Sequence, residues 1–264
     1  MRTDPAALIE TAARLVGYAN ANRYHVRGDS LFNGIPLRGK QVLEVGSGAG
    51  AWAIWAGLHG ANRVVGIEPE ARGSTPRSLK RFEDNVRSLG LARTVLASGD
   101  KLEQVLDGDE SFDIVVMFNV INHLDEEAVK VLRTDRGARE QYTALLRKLR
   151  GHTTLSGWLI VADCARTNFW NQLGLGSPFA RTIEWEKHQN PRVWMDVMER
   201  AGFRDFDLRW SPLQPFPKLT QNSLVQYFTC SHFVLRCRAG EKLSNRPQAR
   251  EKFASSALRG FASI

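Results

Sequence analysis

Three acidic side chains and a glycine-rich turn stand where consecutive predicted strands end. Glu44 lies in the run VLEVGSGAG (42–50), in which glycine occupies every second position from residue 46. Glu68 closes the next apolar run, and Asp100 follows the third. A glycine turn between a strand and a helix presents backbone N–H groups to a ligand that approaches without meeting a Cβ atom. The pattern predicts a ligand site built from the ends of three strands.

The glycines alone do not identify that ligand, because their spacing also satisfies the looser form of the dinucleotide fingerprint. Glu68 stands where a carboxylate accepts from ribose hydroxyls, a feature that NAD enzymes share. Glu44 would repel a pyrophosphate, whereas it favours a cationic amino-acid ligand. Asp100 is placed to accept from an adenine amino group. An adenosine ligand with a cationic amino-acid part is therefore favoured over a dinucleotide.

The elements that must position these residues alternate along the chain. Five runs with apolar centres predict buried strands at 41–45, 62–68, 93–98, 112–118 and 157–163. Helical stretches are predicted between them at 51–58, 75–89 and 126–149, the last with an interruption around 134–137. This alternation is typical of a parallel sheet covered by helices.

The alternation stops after the fifth strand. Residues 164–190 form a long connection of the kind that builds lids over active sites. A helix is predicted from Pro191, followed by a strand at 203–210, a proline-punctuated loop and a final long run at 223–238. The last two runs are expected to pair antiparallel, because the pattern places no crossover helix between them.

With these residues in place, the sequence resembles the class I S-adenosylmethionine (SAM)-dependent methyltransferases. The pattern Glu44-x-Gly46-x-Gly48-x-Gly50 looks like that family's first motif, Glu68 like its ribose-binding acid and Asp100 like its adenine-side acid. The segment FDIVVMFNVINHLDE (112–126) is similar to its fourth-strand segment. The resemblance implies a three-layer, doubly wound α/β fold with a mostly parallel seven-stranded sheet and an antiparallel last strand. It also implies SAM as methyl donor and S-adenosylhomocysteine (SAH) as product.

The resemblance further implies a set of cofactor-binding residues: Arg27, Glu44, Gly46, Ser47, Gly48, Gly50, Glu68, Asp100, Lys101 and Asn119. Arg27 precedes the first strand, where a guanidinium can clamp the methionine carboxylate with two hydrogen bonds. A surface salt bridge is the alternative role for this arginine.

Two histidines are candidate catalytic bases, since histidine accepts a proton near neutral pH. His123 lies just beyond the fourth strand, with lining the pocket as its alternative role. His188 follows the lid-like connection, with ordering that loop as its alternative role. An aromatic wall beside the methyl acceptor is expected from five residues, with core packing as the alternative for each: Phe169, Trp170, Phe179, Trp185 and Trp194.

The absence of three sequence motifs narrows the range of possible methyl acceptors. FNVI stands where enzymes that methylate adenine amino groups carry DPPY or NPPY, and ADCAR lacks the pattern of a pyrimidine-methylating cysteine nucleophile. Only Asp163 stands where metal-dependent catechol-type enzymes carry several acids. We expect metal-independent transfer to an oxygen or nitrogen atom of a small molecule or glycan precursor. RNA methylation, a non-catalytic SAM-binding role and an NAD oxidoreductase are the alternatives.

A net charge of +8 suits an anionic partner such as nucleic acid, an acidic glycan or a lipid headgroup, and the charge alone does not choose among them. Basic residues punctuate the helix predicted after the fourth strand and the tail at 239–264, where a solvated face is expected and RNA binding is the alternative. They are Arg133, Arg136, Arg139, Arg147, Lys148 and Arg150, then Lys242, Arg246, Arg250, Lys252 and Arg259.

Three scattered cysteines predict neither a disulfide framework nor a zinc site. No run reaches transmembrane length, and the amino terminus lacks a signal-peptide pattern, so a cytoplasmic protein without a membrane span is expected. The expected organisation is a helical cap at 1–40, a SAM-binding domain at 41–238 with a lid insertion at about 164–190, and a basic tail at 239–264. The oligomeric state is left open.

Overall fold

The computed structural model describes residues 4–70, 75–213 and 216–241. In these ranges the predicted apolar runs form one seven-stranded sheet in the order β3-β2-β1-β4-β5-β7-β6. Strand β7 is antiparallel to both of its neighbours and the other pairs are parallel, so the expected sheet is confirmed. The strands are β1 (Gln41–Val45), β2 (Arg63–Ile67), β3 (Val95–Ser98), β4 (Phe112–Phe118), β5 (Thr153–Cys164), β6 (Phe203–Trp210) and β7 (His232–Ala239).

Helices cover both faces of the sheet. In chain order they are α1 (Pro5–Leu15), α2 (Ala21–Phe32), α3 (Ala51–Leu58), α4 (Ser78–Ser88), α5 (Leu102–Leu106), α6 (Glu126–Val131), α7 (Arg136–Gly151), α8 (Phe169–Gln172), α9 (Pro191–Arg200), α10 (Pro217–Thr220) and α11 (Ser223–Phe228). Short 3-10 turns lie at Ile121–His123 and Trp185–Lys187.

Two hydrophobic cores lie on opposite faces of the sheet because successive strand residues point to opposite sides. Val42 and Val64 belong to the core beneath α1 to α4. Their neighbours Leu43 and Val65 belong to the core beneath α5, α6, α7 and α9. The strands are therefore buried on both faces, which explains their nearly continuous apolar sequences.

The two helices before β1 cover the start of α3. Tyr24 on α2 is fully buried, and its hydroxyl donates to the carbonyl oxygen of Ala51, the first residue of α3, over 2.5 Å. The Tyr24 ring stacks on that of Trp52 with centroids 5.6 Å apart. Gly28 lets α2 approach α3 closely, since a Cβ atom there would lie 2.5 Å from the ring of Trp55. The start of α3 is thus fixed from the N-terminal side.

The predicted interruption of the helix after β4 is confirmed. Helix α6 ends at Val131 and α7 begins at Arg136. The side chain of Asp135 accepts a hydrogen bond from the N–H of Ala138 over 2.6 Å. Aspartate in this position caps a new helix, so the local sequence starts α7 afresh.

The connection from β6 to β7 differs from the prediction. The run at 223–238 is not one extended segment, because Ser223–Phe228 forms α11 and β7 begins only at His232. Asn222 accounts for the helix, since its side chain accepts from the N–H of Leu224 over 2.8 Å and caps the first turn. The prediction that no helix separates the last two strands is wrong, while their antiparallel pairing is confirmed.

Of the predicted basic tail, residues 242–264 lie outside the described residues. Among the helices of 4–70, 75–213 and 216–241, none combines the length and the apolar character needed to cross a membrane.

Candidate active site

The glycine turn after β1 contains two glycines that pack against side chains and one that faces open space. Gly46, Gly48 and Gly50 all have left-handed backbones, with φ of 66°, 54° and 86°. A Cβ atom on Gly46 would lie 2.5 Å from Val120, and one on Gly50 would lie 2.0 Å from Phe82. A Cβ atom on Gly48 would meet nothing within 4 Å. The backbone of Gly48 therefore faces open space.

That space is a cavity of about 710 Å³ at the carboxyl ends of β1, β2 and β4, within the size range of small-molecule sites. It lies where the strand order reverses between β1 and β4, the usual ligand position in doubly wound sheets. Its lining is Val45, Gly46, Gly48, Ile67, Glu68, Pro69, Thr75, Lys101, Leu102, Glu103, Asn119, Val120, His123 and Leu124.

Glu68 joins the end of β2 to the glycine turn. Its Oε2 atom accepts a hydrogen bond from the N–H of Gly48 over 2.8 Å, and its Oε1 atom accepts from the N–H of Glu70 over 3.2 Å. The residue is buried but lines the cavity. The carboxylate is therefore fixed beside the ligand-facing glycine, and its role toward a ribose stays a prediction.

Glu44 lies beneath the cavity and is absent from its lining. The fully buried carboxylate accepts from the N–H groups of Trp52 over 3.2 Å and Ala53 over 2.7 Å, in the first turn of α3. Burial raises the pKa of Glu44 to about 8, against the opposing effect of these hydrogen bonds. Ser47 donates from its hydroxyl to the Glu44 carbonyl oxygen over 3.2 Å. Glu44 holds the helix start to β1, and direct ligand contact by Glu44 or Ser47 stays a prediction.

The segment after β3 contributes Lys101 to the cavity lining. Its neighbour Asp100 is exposed and accepts a hydrogen bond from the hydroxyl of Ser98 over 2.6 Å. Asp100 itself is not part of the lining. The adenine-side role of this acid stays a prediction, and Lys101 and Glu103 are the charged groups that the structure places against the cavity here.

Arg27, His232 and Asn119 form a hydrogen-bonded chain at the edge of the cavity. Nη1 of Arg27 lies 3.3 Å from Nδ1 of His232, and Nε2 of His232 lies 3.0 Å from Oδ1 of Asn119. A guanidinium only donates, so Nδ1 accepts and the Nε2–H group donates to Asn119. Burial, with the charge of Arg27 adding to it, lowers the pKa of His232 well below its ordinary value and keeps the ring neutral. The carboxylate clamp stays a prediction for Arg27, which is not part of the cavity lining.

His123 lines the cavity within the 3-10 turn after β4. Its Nδ1 atom lies 2.8 Å from Oε1 of Glu126, and Nζ of Lys187 lies 2.9 Å from Oε2 of the same carboxylate. Hydrogen bonds from His123 and Lys187 lower the pKa of Glu126. The ring of His123 is half-exposed, and it is paired with Glu126, a carboxylate that Lys187 also contacts.

His188 has a different environment. Its Nδ1 atom lies 3.0 Å from Oδ1 of Asp163, a fully buried residue near the end of β5. A carboxylate only accepts, so Nδ1–H donates and Nε2 remains as an acceptor. The N–H of Asn119 donates to the carbonyl oxygen of Ala162 over 2.7 Å, which places Asp163 beside a residue of the cavity lining. The sequence predicts His188 as a candidate base but not Asp163 as its partner, because no spacing rule connects residues 25 positions apart.

The family of the chain is shown by its match to a known family model. A family model described as Methyltransferase domain matches residues 18–207, more than half of the 264-residue chain. The chain belongs to this methyltransferase family. With its seven-stranded sheet, it is a class I methyltransferase whose cofactor is SAM.

The methyltransferase resembles one curated relative and many solved structures. An uncharacterized methyltransferase from Mycobacteroides abscessus is 33% identical over 125 residues, covering 45% of this chain and 46% of the relative. This chain thus matches about half the length of that relative. At identities below a quarter, solved structures establish the shared fold alone.

Two of these structures illustrate the shared fold. Geranyl diphosphate C-methyltransferase from Streptomyces coelicolor A3(2), in complex with Mg²⁺, geranyl diphosphate and SAH, has a TM-score of 0.57 at 12% identity, covering 84% of this chain and 81% of its own. A SAM-dependent methyltransferase from Mesorhizobium loti has a TM-score of 0.52 at 15% identity, covering 85% and 99%.

The predicted aromatic wall is divided between the lid and the core of the methyltransferase. Trp194 is fully buried and packs against Tyr142 with ring centroids 5.3 Å apart, so core packing is its role of the two that the sequence left open. The ring of Phe169 packs against that of Phe228 on α11, with ring centroids 5.1 Å apart. Trp185 lies 6.2 Å from the ring of His188. Trp185 thus lies close to the candidate base.

Most basic residues of α7 have partners within the methyltransferase. Arg136 pairs with Glu140 over 2.8 Å and Lys148 with Asp107 over 2.6 Å. Three arginines of the same helix donate to backbone carbonyl oxygens: Arg139, Arg147 and Arg150. Of these residues, Arg150 is buried and Arg139 is half-buried, whereas Arg136, Arg147 and Lys148 are exposed.

Within 4–70, 75–213 and 216–241, no three histidine, cysteine or acidic side chains lie together in a way that could hold a metal ion.

Proposed function

We propose that the protein transfers the methyl group of SAM to an oxygen or nitrogen atom of a small-molecule or glycan-precursor acceptor, with His188 as proton acceptor and without a metal ion. The observation that carries the proposal is the 3.0 Å contact between His188 and the buried Asp163, next to the cavity residue Asn119. Oxygen and nitrogen acceptors lose a proton on methylation, so the reaction needs a base. His188 is not part of the cavity lining, and it is connected to the lining residue Asn119 through Asp163 and the neighbouring Ala162.

The residues present fit the donor. Gly48 offers a backbone without a Cβ atom in its left-handed turn, and a side chain there would occupy the space of the cavity. Glu68, Lys101 and Asn119 supply polar groups along the wall. When bound, SAM supplies an electrophilic methyl group on sulfur, and the protein's task is to hold the acceptor atom in line with it.

The proton step belongs to the chain's own residues. Nδ1–H of His188 is engaged by Asp163, so Nε2 is the ring atom that would take the proton lost by the acceptor's O–H or N–H group when that group is methylated. The resulting imidazolium lies 3.0 Å from the buried carboxylate of Asp163, which stabilises the positive charge. Asp163 thereby orients the ring and offsets the charge that develops on it.

Metal independence is part of the proposal and rests on the missing acidic motif of the metal-dependent enzymes. Methyl transfer that persists after dialysis against a chelator would support it. Transfer that is abolished by the chelator and restored by one divalent cation would contradict it.

An RNA acceptor is the main alternative, because the net charge is +8. A groove for phosphates needs basic groups that face solvent, and three residues of α7 do so: Arg136, Arg147 and Lys148. The fractionation experiment below distinguishes the two acceptors. A non-catalytic SAM-binding role is the second alternative, and the absence of label transfer into every fraction would support it. The predicted cytoplasmic location stays a prediction.

The experiment that tests the proposal is methyl transfer from labelled SAM into fractionated extract of the source organism. Size-filtered and RNase-treated fractions are run in parallel, with the His188→Gln variant as a control for background labelling. We expect label in the small, RNase-resistant fraction with the unaltered protein only. Label that disappears with RNase would replace the small-molecule acceptor with RNA.

A further inference from the structure

Exposed apolar side chains are concentrated on one part of the surface. Within the described ranges, seven of eleven exposed large apolar residues lie in two segments, and their exposed fractions run from 45% to 66%. We name the segments 169–183 and 216–228 the apolar cap. The seven residues are Leu173, Leu175, Phe179, Phe216, Leu219, Leu224 and Phe228. Monomeric proteins rarely expose so many clustered apolar groups without a binding role.

The two segments of the apolar cap are joined to each other. The rings of Phe169 and Phe228 lie 5.1 Å apart, and Nε1 of Trp170 donates to the carbonyl oxygen of Phe228 over 2.9 Å. Leu224 and Phe228 are four residues apart on α11, so they share one face of that helix. The exposed groups are therefore carried by adjoining elements.

The apolar cap contains basic side chains and no acidic ones. The chain contains 28 acidic residues, yet none lies at 164–183 or at 208–240. Arg181 and Lys218 belong to the cap and are exposed. The cap thus combines apolar side chains with two cations and carries no acid that would repel an anionic surface.

We propose that the apolar cap binds the surface of an anionic phospholipid bilayer. Its leucine and phenylalanine side chains enter the interfacial region, while Arg181 and Lys218 meet the lipid phosphates. A second copy of the chain is a poorer occupant, since a symmetric contact places the same patch on both sides and brings like charges together. An anionic lipid surface complements both the apolar groups and the cations.

The cap is connected to the hydrogen-bonded chain of Arg27, His232 and Asn119 at the edge of the cavity. Asn168, which precedes α8, donates from its side chain to the carbonyl oxygen of Thr229 and to the hydroxyl of Ser231, each over 2.9 Å. Ser231 is followed by His232, the partner of Asn119. Binding through the cap would therefore bring the candidate acceptor site close to the bilayer. The inference goes beyond the proposed methyl transfer and does not depend on it.

The test is co-sedimentation of the full chain with vesicles of phosphatidylcholine alone or mixed with phosphatidylglycerol. We expect binding to the mixed vesicles and little binding to phosphatidylcholine. Leu224→Gln should weaken the partition coefficient about tenfold, because one exposed leucine no longer enters the interface. Lys218→Gln should weaken it about fivefold through the loss of one cation.

Matched controls alter a leucine and a cationic residue elsewhere on the surface. Leu155→Gln changes a leucine that is 66% exposed, against 65% for Leu224, at the start of β5. Arg93→Gln removes an exposed cation before β3. Both controls should bind vesicles like the unaltered protein. Stabilisation by SAH, measured by thermal shift, shows that each variant is folded and keeps a failure of lipid binding distinct from a failure of methyl transfer.

Three outcomes would overturn the proposal. The first is the absence of sedimentation with mixed vesicles, and the second is an equal loss of binding in the cap and control variants. The third is a dimer, detected by light scattering, that Leu224→Gln dissociates while vesicles bind neither form. That result would assign the cap to a second copy of the chain.

Discussion

His232 holds the side-chain amide of Asn119 in one orientation. Its Nε2–H group donates to Oδ1 of Asn119 over 3.0 Å, and Arg27 fixes this tautomer from the other side of the ring. The Asn119 backbone is also fixed, with φ of 55° and its N–H bonded to Ala162 over 2.7 Å. Because the oxygen is engaged, the Nδ2 donor is the atom that remains for the cavity.

Asn119→Asp should therefore weaken SAH binding about tenfold, since a donor toward the ligand is replaced by a charged acceptor. Isothermal calorimetry measures the change. Asn62→Asp makes the same chemical change at an exposed position before β2 and should leave affinity unaltered. Equal affinities for the two variants would show that the Asn119 amide does not contact the ligand.

Gly48→Ala should abolish detectable SAH binding, because a methyl group enters the space where the backbone faces the cavity. Gly90→Ala is its control, since Gly90 has φ of 69° and a Cβ atom there would also meet nothing within 4 Å. Both variants carry the cost of a left-handed alanine, about 1–2 kcal/mol. Calorimetry that finds full SAH affinity for Gly48→Ala would place the ligand elsewhere.

His188→Gln should lower turnover about a hundredfold or more while SAH affinity changes less than twofold, because the base is lost and the donor site is untouched. Asp163→Asn should lower turnover about tenfold or more, since the ring loses the carboxylate that orients it. Initial rates with labelled SAM and the identified acceptor measure both effects.

Two controls separate a base from a packing residue. Added imidazole should restore part of the activity of His188→Ala and none of that of Gly48→Ala. His123→Gln should reduce turnover less than fivefold, since its ring is half-exposed and paired with Glu126. A collapse of turnover in His123→Gln, with His188→Gln active, would assign the base to His123.

The pH dependence of stability should report on Glu44. The folded carboxyl has a pKa of about 8 against 4.5 when unfolded, so the native state binds more protons between these values. The free energy of unfolding therefore falls as pH rises from 4.5 to 8. The lowered pKa of His232 acts in the opposite direction, but only as pH falls below its ordinary value of 6.5. The interval from 6.5 to 8 thus isolates Glu44 from His232.

Urea unfolding across that interval should show the unaltered protein losing stability with rising pH. Glu44→Gln should remove this slope, because the buried group no longer titrates. Glu199→Gln changes an exposed acid on α9 and should keep it. An unchanged slope in Glu44→Gln would mean that the buried carboxyl is already ionised at pH 6.5.

The sheet could be predicted because its signal is local. Strands β1 and β4 have the predicted bounds, since apolar runs buried on both faces are visible in a few residues. Helix α5 was not predictable by periodicity, because Leu102–Leu106 is shorter than two helical turns. Likewise, the start of β7 depends on the capping of α11 by Asn222.

The candidate site could be predicted only in part. Gly48 and Glu68 follow from spacing within one strand-turn-helix unit and its neighbour, and the structure places both on the cavity. The contact of Arg27 with His232 joins positions 205 residues apart, which the fold alone brings together. Glu44 has the predicted place at the end of β1, but the direction of its carboxylate depends on where α3 packs.

The hydroxyl of Tyr24 has a practical consequence for how the protein is divided. It donates to the carbonyl oxygen of Ala51, the first residue of α3 and the one directly after Gly50. Helix α2 and the glycine turn are therefore held together. A fragment beginning at Gln41 would leave the ring of Trp52 without its stacking partner and the start of α3 without its brace. Expression designs and domain exchanges should therefore carry both N-terminal helices with the sheet, whichever acceptor is under study.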